Sequence, residues 1–202
     1  DRLQAALLNS ISHDLRTPLV AITGALTMLR DGDPQIDPEA RKSLISDACA
    51  AADHLNRLVG HLLGMARIEA GAMRLALEPG DVQDAVGTAL EQTRDRLAGR
   101  AVRTELPADL PLVDMDFVLI VQVLVNLIEN AAKYSPEGTP VDIRAAFDAT
   151  VVRLDVADRG MGIPPEDLGR VFDKFYRVQQ RDPAAGIGLG LAIAKGIVEA
   201  HG

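Results

Sequence analysis

The stretch Ile11-Ser12-His13-Asp14-Leu15-Arg16-Thr17-Pro18-Leu19 decides how the chain is read. Ile11 and Leu15 belong to a series (Leu8, Ile11, Leu15, Pro18, Ile22, Ala25, Leu29) whose spacings of three and four mark the seam of a long helix. On that helix His13 falls opposite the seam, toward solvent, and Thr17 lies one turn further along the same face. Pro18 lacks an N–H and its ring crowds the carbonyl of Asp14, so a bend is expected directly after the His-Asp pair. An exposed imidazole in its neutral form is a nucleophile, and the carboxylate of Asp14 can take the proton from the other ring nitrogen. A His-Asp pair on a helix is usually ordinary surface; the proline and the rest of the chain give this one its weight.

Outward from that stretch, the seam stops at Asp31-Gly32-Asp33-Pro34 and a helix restarts at Asp37-Pro38, with Asp as N-cap and Pro in the first turn. Its seam is Leu44, Ala48, Ala51, Leu55, Leu58, Leu62 and Met65, with Gly71 as terminator. Residues 1–72 therefore read as a helical hairpin. Two helices alone bury little surface, so a homodimer closing a four-helix bundle is the expected state.

Beyond residue 73 the rhythm changes. Residues 74–78 alternate like a strand, 81–98 read as a helix, and 101–106 and 112–114 as short strands. Residues 116–133 form a strongly apolar helix, 141–147 and 151–157 read as strands joined by Asp148-Ala149, and residues from about 188 to 200 are helical again. Helices and strands mix without a strict βαβ order, which predicts an α+β domain over 73–202 with helices on one face of a mixed sheet.

Three stretches in this second part suit a nucleotide. In Asn126-Leu127-Ile128-Glu129-Asn130-Ala131-Ala132-Lys133-Tyr134, the residues Asn126, Asn130 and Lys133 share one stripe of an otherwise apolar helix. Amides so placed are costly without partners. An amide oxygen suits Mg²⁺, Lys133 offers a point charge to a phosphate, and Tyr134 offers a ring face. In Asp158-Arg159-Gly160-Met161-Gly162-Ile163, Asp158 continues the parity of Val152, Leu154 and Val156. Its carboxylate is expected on the apolar side, where it would want a strong donor such as the exocyclic amine of a purine, and Gly160 and Gly162 permit close approach of a flat ligand. Gly186-Ile187-Gly188-Leu189-Gly190-Leu191 opens a helix and presents free N–H groups to phosphates, without the pattern of a Walker A loop or a dinucleotide fingerprint. The polar residues 179–185 before it could close as a lid.

A net charge of −8 argues against nucleic acid as a partner. The single cysteine, Cys49, forms no internal disulfide, points to a reducing compartment and reads as a small packing residue. No apolar run is read as a membrane span, so a membrane would be reached only through segments absent from this chain, which starts in helix-like sequence without Met.

Five motifs in order make the chain resemble the sensor histidine kinases of two-component systems. Ser12 to Leu19 looks like the H box, Asn126 to Tyr134 like the N box and Asp158-x-Gly160-x-Gly162 like the G1 box. Phe172-Asp173-Lys174-Phe175-Tyr176 looks like the F box and Gly186 to Leu191 like the G2 box. The resemblance implies a dimerisation and phosphotransfer hairpin followed by an ATP-binding α/β sandwich of the gyrase and Hsp90 type. It implies His13 as phosphoacceptor, Asp14 as its acid–base partner, and Thr17 as a residue for dephosphorylating a partner response regulator. Asn130 is implied as the Mg²⁺ ligand and Asn126 as a catalytic residue near the phosphates. ATP contacts are implied along Asn126, Asn130, Lys133, Tyr134, Asp158, Gly160, Gly162, Ile163, Phe172, Lys174, Gly186, Gly188, Leu189, Gly190 and Leu191. The implied partner is the receiver domain of a response regulator, and the implied location is the cytoplasmic portion of a bacterial inner-membrane sensor. The run Leu62-Leu63-Gly64-Met65-Ala66-Arg67-Ile68 and the phrase Phe172 to Arg177 are similar to the potassium-responsive Kdp-type kinases. The chain departs from the family at Ile187, where Ser or Thr is common, and at its end, where the family continues into further strands.

Overall fold

The computed structural model describes residues 2–31, 37–70, 74–178 and 188–202. The chain divides into two compact units, one holding the helices up to Ala66 and the other holding Arg67–Val178 and Gly190–Gly202.

The first unit consists of α1 (Arg2–Asp31) and α2 (Pro38–Glu69). Asp37 starts α2 as expected: its Oδ1 accepts the N–H of Ala40 at 2.7 Å and its carbonyl that of Arg41 at 3.0 Å. Helix α1 runs through Pro18 without a break in its assignment. Burial follows the sequence seams. Pro18, Ala25, Leu58 and Met65 are buried, and Ile11, Leu15, Ile22, Leu29, Leu44, Ala48, Ala51, Leu55 and Leu62 are half-buried. Leu19, Val20, Leu26, Met28, Ile45, Val59 and Leu63 are exposed. Cys49 is exposed as well, so its reading as a packing residue is corrected: it faces outward, off the seam. Gly71 lies outside the described residues.

The second unit contains β1 (Glu78–Gly80), α3 (Val82–Gln92), β2 (Val102–Glu105), β3 (Val113–Met115), α4 (Phe117–Tyr134), β4 (Val141–Phe147), β5 (Val152–Ala157) and α5 (Gly190–His201). Strand β4 is central: β2 runs parallel on one side, Thr104 opposite Ile143, and β5 antiparallel on the other, Val156 opposite Ile143. Strands β1 and β3 form a separate antiparallel ribbon. Helix α4 packs against α3 and α5 and touches β4 and β5. Ala85, Val86 and Ala89 of α3, Val121, Leu124, Ile128 and Ala131 of α4, and Val141 and Ile143 of β4 form the core. At the positions between, Arg144 pairs with Glu105 at 3.0 Å on exposed sheet surface.

Three expectations need correction. Residues 74–77 are not a strand; β1 begins at Glu78, and the N–H of Ala76 is taken by a side chain, Asp116 Oδ2, at 3.1 Å. Helix α3 stops at Gln92 instead of 98: Thr93 leaves helical geometry at φ −102° and ψ 7°, and the chain continues in turns to Gly99 at φ +77°. Helix α4 is by length and composition apolar enough to cross a membrane, contrary to the reading of the sequence, although it supplies core residues of this unit.

Candidate functional site

His13 is exposed, with a side chain 77% accessible, and its Nδ1 lies 3.4 Å from Oδ1 of Asp14. A carboxylate beside Nδ1 favours the tautomer with the proton on that nitrogen, the form that leaves the Nε2 lone pair for bonding. Thr17 stands exposed one turn on, and its hydroxyl donates to the carbonyl of His13 at 3.1 Å. Its proton is thereby committed to the backbone, while its oxygen lone pairs can still accept from a water.

In the second unit the N-terminus of α4 is fixed by its cap. Asp116 Oδ1 accepts the N–H of Leu119 at 3.2 Å, and the N–H of Asp116 donates to Nε2 of His201 at 3.0 Å. Along α4 the polar stripe climbs out of the core: Asn126 is buried, Asn130 half-buried and Lys133 exposed. Asn126 Nδ2 donates to the carbonyl of Gly190 at 3.3 Å, which ties this stripe to the first residue of α5. A Cβ at Gly190 would meet Asn126 only at 3.8 Å, so the protein's own packing does not demand glycine there. Lys133 Nζ sits 5.2 Å from the centre of the half-exposed Tyr134 ring.

Asp158 corrects the sequence reading. It is exposed, because β5 ends at Ala157 and the pleat no longer controls the next side chain. Its Oδ1 accepts the N–H of Gly160 at 2.6 Å and faces the hydroxyl of Ser135 at 3.4 Å. Oδ2 takes neither of these bonds. Gly160 is required by contact, since a Cβ would come within 2.6 Å of the Tyr134 carbonyl; Gly162 and Gly188 are required by φ of +73° and +74°. Arg159 anchors the same turn through Asp142 at 2.6 Å, a buried carboxylate on β4.

Ile163, Phe172 and Lys174 are exposed, and Lys195 Nζ lies 5.9 Å from the centre of the Phe172 ring. Nearby, the Tyr176 hydroxyl donates to Asp167, which pushes the phenol above its usual range. Leu189 is buried and Leu191 half-buried, whereas Gly186 and residues 179–185 lie outside the described residues. The structure thus brings Asn126 to Gly190 and the end of α4 to Asp158 and Gly160. Ser135, beside the N-box stretch, was missed in the sequence because a Ser after a helix reads as an ordinary cap.

Among the described residues no group of three His, Cys, Asp or Glu could hold a metal by itself. The amide oxygens present fit a cation that arrives with phosphates and completes its shell with their oxygens, and the Lys133 ammonium suits the phosphates themselves.

Residues 3–71 match the His Kinase A (phospho-acceptor) domain, and residues 115–202 match the histidine kinase-, DNA gyrase B- and HSP90-like ATPase. Sensor protein KdpD of Escherichia coli is 37% identical over 203 residues, covering 100% of this chain and 22% of that protein. The histidine-protein kinase/phosphatase MprB of Mycobacterium tuberculosis is 35% identical over 208 residues, covering 98% of this chain and 40% of that protein. The solved structure of Acinetobacter baumannii histidine kinase AdeS superposes with a TM-score of 0.65 at 31% identity, over 93% of this chain and 86% of that one. The chain thus spans well under half of the curated relatives it matches.

Proposed function

We propose, from the premise that this chain belongs to the histidine kinase family, that it binds ATP in the unit of α3–α5 and transfers the γ-phosphoryl group to His13. The observation that carries this reading is an exposed imidazole with a carboxylate at Nδ1, on the same chain as a purine-suited carboxylate and a stripe of amides. Nε2 attacks the γ-phosphorus in line, the bond to the β,γ-bridging oxygen breaks, ADP leaves, and Asp14 takes the proton from Nδ1. Asp158 Oδ2 accepts the adenine amine, and Lys133 and the glycine turn at 188–190 hold phosphate charge. Mg²⁺, held by the amide oxygen of Asn130, would supply neutralisation of the triphosphate.

The phosphoryl group then passes to an aspartate on a response regulator's receiver domain, and Thr17 serves the reverse, dephosphorylating role. Residues 1–72 form the phosphotransfer and dimerisation part and 73–202 the ATP-binding part, in the cytoplasmic portion of a membrane sensor. Within the family we favour the Kdp type on the likeness of residues 62–68 and 172–177, the KdpD and MprB matches being of similar strength.

Incubation with labelled ATP tests the reading. Label on the protein that survives alkali and is lost in acid is expected. An acid-stable label, or none alongside steady ATP hydrolysis, would replace it with a seryl kinase or a plain ATPase.

A further inference from the structure

Arg100 belongs to none of the five motifs, yet it ties together the far end of the helix that carries them. Its Nη2 donates to the carbonyls of Ala132 at 2.7 Å and Ser135 at 2.9 Å. Its Nη1 donates to the carbonyl of Pro136 at 2.7 Å and to Oγ1 of Thr139 at 3.1 Å. The first two are carbonyls at the end of α4, where intrahelical donors run out and the dipole is negative. One planar, half-buried cation thus pins the end of α4 and the turn after it to the chain entering β2.

The end of α4 is also the support of Asp158. The Tyr134 carbonyl lies directly against Gly160, close enough to exclude any Cβ. Ser135 turns its hydroxyl toward Oδ1 of Asp158, the oxygen that already takes the Gly160 N–H. Movement of this last turn would press on Gly160 and withdraw Ser135 from the carboxylate, although Arg100 contacts neither Gly160 nor Asp158.

We propose that Arg100 is a positioning residue for purine recognition, acting through the α4 terminus and Ser135 to hold Asp158 with Oδ1 occupied by the protein and Oδ2 presented to the exocyclic amine. This rests on the reading of Asp158 as the acceptor of that amine. A carboxylate free to rotate could satisfy the amine less often, so the loss should fall on the amine contact and spare the phosphates.

The test compares equilibrium affinity of the full chain for ATP and for purine riboside triphosphate, which differs only in lacking the amine. The parent, Arg100→Lys, Ser135→Ala and Asp158→Ala are measured. The ratio of the two affinities reads the amine contact alone. Asp158→Ala should bring it close to one; Arg100→Lys and Ser135→Ala should each lower it about fivefold, the net worth of one hydrogen bond, with the analogue's affinity little changed. A merely structural arginine would weaken both nucleotides equally, and an unchanged ratio in Arg100→Lys overturns the proposal. Should that variant not fold, Arg100→Gln, whose amide cannot span the same carbonyls, decides by the same criterion. A parental ratio in Asp158→Ala would instead remove Asp158 from the site, and the role of Arg100 with it.

Discussion

The two units hold their apolar residues differently. In the unit of α3–α5 a set of large side chains is fully shut away: Ile128, Ile143 and Ile193 have no exposure. In the helical unit the seam residues are mostly half-buried, and Leu19, Val20, Leu26 and Leu63 are more than half exposed. A mixed sheet with helices on one face closes a core by itself, whereas two helices present a stripe that asks for another surface. The second unit thus encloses its own core, while the first leaves an apolar stripe open, and His13 stands on that helical unit, opposite the seam.

The sharpest way to break this contrast is a charge in the seam. On the proposed dimer, Leu55→Asp should separate the subunits, because an unpaired buried charge costs about 3–5 kcal/mol at each copy. Light scattering should show the mass halved while ATP affinity stays at the parental value. A mass that does not change would refute the bundle.

A core truncation should do the reverse. Ile128→Ala should lower stability of the second unit by about 2–5 kcal/mol, through lost burial and the cavity left behind. Denaturant unfolding measures the loss, and the oligomeric state should not move. A smaller effect is expected at Thr17. Its oxygen can accept from a water and aim that water's lone pair at a phosphoryl-aspartate docked on α1. Thr17→Ala should slow dephosphorylation of the regulator several-fold, about the range of one positioned hydrogen bond, and leave labelling of His13 intact. Equal decay rates would confine Thr17 to its bond with the His13 carbonyl.

The smallest effect sits in the β4–β5 turn. The N–H of Thr150, its hydroxyl and the N–H of Val151 all point at Asp148 and hold its carboxyl below the ordinary value of 3.8. A depressed folded value means the contribution is present above the unfolded pKa and is lost as pH falls through the folded one. Asp148→Asn should therefore lower the neutral plateau slightly and flatten the acid limb of the stability profile below about pH 4, so that variant and parent converge in acid.

How much of this was legible follows from the range of the interactions. The seams of α1 and α2 and the apolar run of α4 are periodic, so their residues announce themselves. The end of α3 is set by the backbone leaving helical geometry at Thr93, a change that periodicity does not record. The parity that placed Asp158 inside fails one residue past the strand. Arg100 carries no local signal, because its partners lie more than thirty residues away.

The central claim is that His13 receives the phosphoryl group, and direct mapping tests it. The full chain is incubated with ATP and Mg²⁺, digested under mildly alkaline conditions, and the modified peptide sequenced by mass spectrometry, with His13→Gln carried in parallel. Phosphate is expected on the imidazole of His13, none anywhere in His13→Gln, and equal ATP affinity in both proteins. Phosphate on another residue, or labelling that persists in His13→Gln, would contradict it.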